Sequence, residues 1–142
     1  MESKHPRADA FLELLSRTQA AYERRDREAY LAGFGEDYSS YALPTGAFED
    51  KAGLAAKIER DIGRFELLSM EFRVEREWYA GETGFALLRY RTRLRGRHSP
   101  RVLIDERRNI IVGRHDDQRW RIINKIVLEV ETRVEAEAAP DI

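Results

Sequence analysis

The chain has 142 residues and a mass of 16.6 kDa, the size of one ordinary domain with a single core. Twenty-five Lys/Arg stand against 26 Asp/Glu, so whole-chain charge excludes a strongly basic nucleic-acid binder, and the absence of cysteine excludes disulfides, thiolate nucleophiles and thiolate metal sites. No run approaches the roughly 18 apolar residues that span a bilayer, and no charged start leads into an apolar signal segment; the expectation is a cytoplasmic protein without a membrane partner.

The first third reads as helical. Ala10, Phe11, Leu14, Leu15, Thr18, Ala21 and Tyr22 recur at three-to-four spacing, while Glu13, Arg17, Glu23 and Arg24 take the other side. Asp26 is placed to cap a short second helix from Arg27 to about Phe34, with Gly35 as its stop. A short strand follows over Tyr38–Leu43, a turn at Pro44–Gly46, and a second short strand around Ala47–Glu49. Asp50 precedes a third helix with Leu54, Ala55, Ile58 and Ile62 on one face, ending near Gly63.

After residue 65 the period changes to two, as in half-buried antiparallel strands. Over 69–78, Met70, Phe72, Val74, Arg76 and Trp78 share one face. Over 86–97, Ala86, Leu88, Tyr90, Thr92 and Leu94 oppose Arg89, Arg91, Arg93, Arg95 and Arg97. Over 120–131, Trp120, Ile122, Asn124, Ile126, Leu128 and Val130 share one face, opposite Ile123, Lys125, Val127 and Glu129. Between these lies a strand from Arg101 to Arg114, whose polar middle, Asp105 to Asn109, suggests a bulge. A hairpin through Gly81–Thr83 that sets Glu75 opposite Arg89 and Glu71 opposite Arg93 gains opposite-charge pairs of about 0.2–1 kcal/mol each, against one unfavourable pairing of Arg73 with Arg91. The chain forms one domain over residues 1–133, followed by a flexible acidic tail over 134–142.

These elements make an α+β plan in which a strongly curved, mainly antiparallel sheet wraps three N-terminal helices. The stretch from Ala21 to Asp37 resembles the helix–Asp–helix opening of SnoaL-like proteins in the nuclear transport factor 2-like superfamily. Asp116 to Ile123, a polar turn followed by Trp120, Arg121 and Ile122, resembles that family's closing signature. The resemblance covers roughly residues 8–131 and implies the cystatin-like cone fold. It leaves function open, because that fold hosts isomerases, hydrolases, dehydratases and non-catalytic binding or association domains.

Relatives of the ketosteroid isomerase type carry a carboxylate on the first short strand as proton shuttle; here Tyr38–Leu43 holds no acid or histidine, and Ala42 cannot serve. The Asp–Arg–Asp set of the epoxide hydrolase type is also incomplete: Arg76 is present, but no acid sits on the neighbouring inner rows. What remains on those rows is a set of polar groups, Arg76, Tyr90, Thr92 and Asn124, which Tyr41 or Tyr38 could join. They would line a cone-shaped pocket walled by Trp78, with Arg76 receiving an anion unless it snorkels to the rim. His5, His98 and His115 are too dispersed for a metal site, Ser39 and Ser40 have no histidine nearby, and no cofactor is expected. The arginine row Arg89–Arg97 is either an anion stripe or a charge-balanced sheet face. With Glu71, Glu75, Glu77, Glu129 and Glu131 available and no interleaved aromatics, the balanced face is preferred, with no specific nucleic-acid binding. The expectation is a homodimer through the outer sheet face, held by Ile123, Val127 and Arg–Glu pairs. Its function is that of a non-catalytic small-molecule-binding or association module. The alternative is a cofactor-free enzyme on a small organic, perhaps anionic, substrate, with Tyr90 or Tyr41 as proton donor and Arg76 as charge stabiliser.

Overall fold

A computed structural model describes residues 8–135. Helix α1 (Ala8–Glu23) buries Phe11, Leu14, Leu15, Thr18 and Ala21 of the stripe that its three-to-four spacing predicts, and Gln19 beside them, while Ala10 is exposed. It ends where Arg25 adopts φ 59°, with Arg25 N–H donating to Tyr22 O and Asp26 N–H to Ala21 O, the paired bonds of a left-handed helix cap. The Asp26 carboxylate then caps α2 (Arg27–Leu31), accepting from Ala29 N–H at 3.1 Å. This helix is shorter than predicted. Phe34 and Gly35 open strand β1 (Phe34–Ala42) instead, because Phe34 pairs with Ile122 and its ring packs between Tyr30 and Tyr38. Strand β2 (Phe48–Asp50) returns along β1, and Asp50 caps α3 (Lys51–Arg64) through Gly53 N–H at 2.8 Å, with Leu54 and Ile58 buried.

Four long strands complete the chain: β3 (Phe65–Ala80), β4 (Thr83–Gly96), β5 (Val102–Asp116) and β6 (Arg119–Val134). The sheet order is β2-β1-β6-β5-β4-β3, antiparallel throughout except for the parallel β1–β6 pair. The result is an α+β fold in which a curved, unclosed sheet holds the helices on one face. Val134, assigned by sequence to the tail, closes β6 opposite Leu103, and Glu135 N–H donates to Val102 O at 2.8 Å; the rest of the expected tail, like His5, lies outside the described residues.

Bulges decide which side chains point inward. An extra residue in one strand shifts its alternation by one and sends every later side chain to the other face. In β3 the β4 register jumps between Val74 and Arg76, so Glu75 is the extra residue. Beyond it Glu77 and Tyr79 pair with Ala86 and Gly84 on the inner face, whereas Arg76 and Trp78 pair with Leu87 and Phe85 on the outer one. In β6 two jumps, at Ile123 and Leu128, make the inner row Trp120, Ile122, Lys125, Val127, Val130 and Thr132. The bulge expected in β5 therefore lies across the ladder, in β6. The charge-guided hairpin register is corrected by two residues: Glu71 faces Arg91, and Arg73 faces Arg89. Glu75 still bonds Arg89, at 3.5 Å, because its bulge frees it to lie between Arg89 and Arg108.

The core is densest where α1 crosses the hairpin end of the sheet. The Phe11 ring lies 4.9 Å from that of Trp120 and edge-on to Tyr79. It presses on two glycines: a Cβ on Gly113 would stand 2.4 Å from the ring, and one on Gly84 3.1 Å. Those strands can carry no side chain there, so helix and sheet approach as closely as the ring allows.

Candidate functional site

At the opposite end the inner face does not close. A cavity of about 290 Å³ lies between α1, α3 and the inner rows of β4, β5 and β6. Its walls are mostly apolar, with Leu54, Ile58, Met70, Leu94, Leu103 and Ile111 among them.

The polar groups come from three sources. The inner row of β5, running Leu103, Asp105, Arg107, Asn109, Ile111, supplies an ion pair and an amide. Arg107 Nε donates to Asp105 Oδ2 at 2.7 Å, and Thr132 Oγ1 donates to Asp105 Oδ1 at 2.8 Å, so this carboxylate is fully engaged. Helix α3 contributes Lys57 and Asp61, one turn apart at the cavity edge. Strand β6 contributes Lys125, turned inward by the bulge at Ile123.

Two buried polar atoms on this wall have no partner among the described residues: Gln19 Nε2 and Asn109 Oδ1, on residues 7% and 4% exposed. Unpaired buried polar atoms cost about 1–3 kcal/mol each, and natural interiors keep few of them. The Lys125 ammonium likewise has no hydrogen bond or ion pair among the described residues. Burial first, then the neighbouring Lys57 and Arg107 cations, bring its pKa down to about 8, with Glu49 pulling weakly the other way. Burial also pushes the Tyr90 and Tyr30 phenols up, so both stay protonated hydroxyls on the cavity wall.

Of the residues that sequence reasoning assigned to a pocket, Tyr90 and Thr92 line this cavity. The other four lie elsewhere. Arg76 and Trp78 sit on the outer face beyond the Glu75 bulge, Trp78 stacked on Phe85 with ring centroids 5.3 Å apart. Asn124 is turned outward by the Ile123 bulge and donates to Ser39 O and Ser39 Oγ at 3.0 and 3.1 Å. Tyr41 is on the same outer side and 44% exposed. Glu106, the nearest acid expected for Arg76, is also outside, bonded to Arg91 and Arg133.

Sequence reasoning missed Asp105, Arg107, Asn109 and Lys125. The β5 trio was visible as three polar residues at alternate positions in an otherwise apolar row. Lys125 was hidden by a phase shift, whose trace is the doubled apolar pairs Ile122–Ile123 and Ile126–Val127 around it.

The outer face carries a second, wider depression of about 950 Å³, bordered by Glu71, Arg73, Arg89, Arg91, Glu106, Arg108, Glu129 and Glu131. Most of its charges are paired, Glu71, Arg73 and Glu129 being the exceptions among the described residues. Arg89, Arg91, Arg93 and Arg95 stand 3.5, 3.6, 2.9 and 3.8 Å from Glu75, Glu106, Glu135 and Glu66, and Arg97 donates to Ile62 O. Glu77, expected among these acids, is on the inner face, accepting from Tyr79. An open basin of mostly paired charges offers little that water does not, which leaves the inner cavity as the candidate site. Among the described residues no group of three or more His, Asp or Glu is gathered for a metal, and no helix is long and apolar enough to cross a membrane.

The sequence matches no family model, and no curated protein matches it. Solved structures do match. A conserved protein from Planctomyces limnophilus superposes with a TM-score of 0.82 at 14% identity, covering 92% of this chain and all of that one. A ketosteroid isomerase-like protein from Erwinia carotovora atroseptica gives 0.75 at 12% identity over 94% of this chain and all of its own. A nuclear transport factor 2-like protein from Cytophaga hutchinsonii gives 0.71 at 17% identity over 88% and 98%. At such identities the likeness is one of fold.

Proposed function

We propose that this chain, built on the nuclear transport factor 2-like cone fold, binds a small organic anion inside the cone. The observation that carries the reading is the lining of the cavity: apolar walls with the unpaired donor Gln19 Nε2 and the unpaired Lys125 ammonium on residues of one lining. Lys57, Arg107 and Lys125 stand against Asp61 and Asp105, and Asp105 is already engaged, so the excess charge is positive. A ligand with an apolar body and a carboxylate end answers the apolar walls, the cations and the Gln19 donor, while Asn109 Oδ1, itself an acceptor, takes no part in holding the carboxylate.

The reading is of a binding module. The catalytic alternative took Tyr90 or Tyr41 as proton donor and Arg76 as charge stabiliser; Tyr90 lines the cavity, but Arg76 lies on the outer face, as does Tyr41, so the charge stabiliser is missing. Titration calorimetry with 4-phenylbutanoate and its neutral amide tests the binding reading. The carboxylate is expected to bind one per chain and at least tenfold (about 1.4 kcal/mol) more tightly than the amide. Equal affinities, or no saturable binding together with no small molecule in mass spectra of the denatured purified protein, overturn it.

A homodimer through the outer face is part of the same proposal, with one change in its residues. Val127 is buried and faces inward, so the apolar contacts would come from the outer row Leu87–Ile110–Ile126, which the ladder aligns across three strands, together with Ile123. Sedimentation at micromolar concentration should give twice the chain mass, and a monomer would refute it. With the arginine row paired, nucleic-acid binding is expected to be non-specific, with Kd around 10⁻⁴ M or weaker at physiological salt.

A further inference from the structure

We propose that Lys125 captures a carbonyl-bearing ligand covalently, as an imine, and that the ligand class is the 2-oxo acids. This rests on the anion-binding reading and adds a bond to it. Lys125 is one of four lysines in the chain. Lys51 is committed to Phe34 O and Glu36, at 3.0 and 2.8 Å. Lys125 instead stands on the cavity wall with no carboxylate holding it, sharing that wall with Lys57, Arg107 and Asp61; Lys57 and Arg107 act on it more strongly than Glu49, the acid that opposes them. A lysine desolvated beside other cations is the arrangement that turns an ammonium into an amine nucleophile. With its pKa at about 8, roughly a tenth of the Lys125 amine is unprotonated at pH 7, against fewer than about one in a thousand for an ordinary lysine.

The same cations define what is captured. The neutral Nζ attacks the ligand's carbonyl carbon, forming the C–N bond as the π electrons move to oxygen. A proton passes from nitrogen to that oxygen, and the carbinolamine loses water to leave the C=N bond, with no oxidant or reductant involved. Tyr90, a protonated hydroxyl on the same wall, is available to donate to the departing oxygen. A carboxylate next to the carbonyl falls to Lys57 and to the guanidinium nitrogens of Arg107 other than Nε, which is held by Asp105.

The test uses 2-oxo-4-phenylbutanoate and the full chain, with cyanoborohydride to reduce any imine to a stable amine. One ligand increment per chain is expected, mapping by peptide mass spectrometry to Lys125 at least tenfold faster than to Lys51 or Lys57, and Lys125→Arg should abolish it while circular dichroism reports an intact fold. Labelling spread evenly over the lysines overturns the proposal. If 4-phenylbutanoate binds but its 2-oxo analogue gives no adduct, the imine fails while the anion site stands. If neither compound binds, the anion site itself fails and the imine with it.

Discussion

The two ends of the cone are built from the same helices and strands and solve opposite problems. At the hairpin end, Phe11 of α1 lies flat against strands stripped to Gly84 and Gly113, and aromatic rings fill the remaining space. At the other end, beyond Ile111 toward the start of β5, the inner row changes to Asn109, Arg107 and Asp105, and a cavity remains. One end stores the stability and the other spends some of it on unpaired polar groups. A site on a rigid scaffold is expected to show this division, since polar groups poised for a ligand are a liability to the free protein.

Substitutions can break this comparison. The largest effect belongs to the packed end: Phe11→Ala should destabilise by about 3–5 kcal/mol in urea denaturation, the range for emptying a buried aromatic site. A loss under 1 kcal/mol would mean that this end is not the stability centre. Gly113→Ala places a methyl where the ring now is and should lose about 1–3 kcal/mol, with Phe11→Leu partly restoring it by yielding space.

The cavity end should respond with the opposite sign. Lys125→Met removes a half-buried cation whose folded pKa lies below its unfolded value, so the variant should be more stable at pH 7, by about 1–3 kcal/mol. Between pH 8 and about 10.4 the unfolded wild-type chain binds more protons than the folded one, so wild-type stability rises and the gap closes. A gap that widens with pH would show that Lys125 has a partner. Asn109→Leu, which removes the unpaired acceptor Oδ1, should change stability by no more than about 1 kcal/mol, in either direction, without weakening 4-phenylbutanoate binding, since an amide oxygen does not hold a carboxylate. Smallest of all, Arg76→Met on the exposed outer face should stay within about 0.5 kcal/mol and leave ligand affinity unchanged.

The same contrast explains what could be read from sequence. The packed end is written in local signals: the α1 stripe, the caps Asp26 and Asp50, the alternation of Ala86, Leu88 and Tyr90, and the closing Trp120–Ile122. Each depends on neighbours in the chain, and each gave the right element. The site depends on phase. A single extra residue at Glu75 carried Arg76 and Trp78 outward, and one at Ile123 exchanged Asn124 for Lys125. Alternation counted across a bulge assigns the wrong face to everything beyond it, so two bulges removed three of the six expected pocket residues, while Tyr41 simply lies on the outer side of β1. In β5, which has no extra residue of its own, the inner trio is legible in the sequence as alternate polar positions, and its charges mark the site rather than an interruption of the strand.

The Ile123 bulge has a consequence for how such a site can change over time. In β6 the inward residue after Ile122 is set by how many residues intervene, so strand length acts as a reading frame. Were Ile123 drawn into the ladder as an ordinary strand residue, alternation from Ile122 would present the amide of Asn124 to the cavity and send the amine of Lys125 to the outer face, with neither residue altered, whereas deleting Ile123 would leave Lys125 inward; the second irregularity, at Leu128, is the place where the old frame would be regained or lost. A reactive interior could thus be exchanged for an inert one by the closing of a bulge, a change that comparison by residue identity alone would not record.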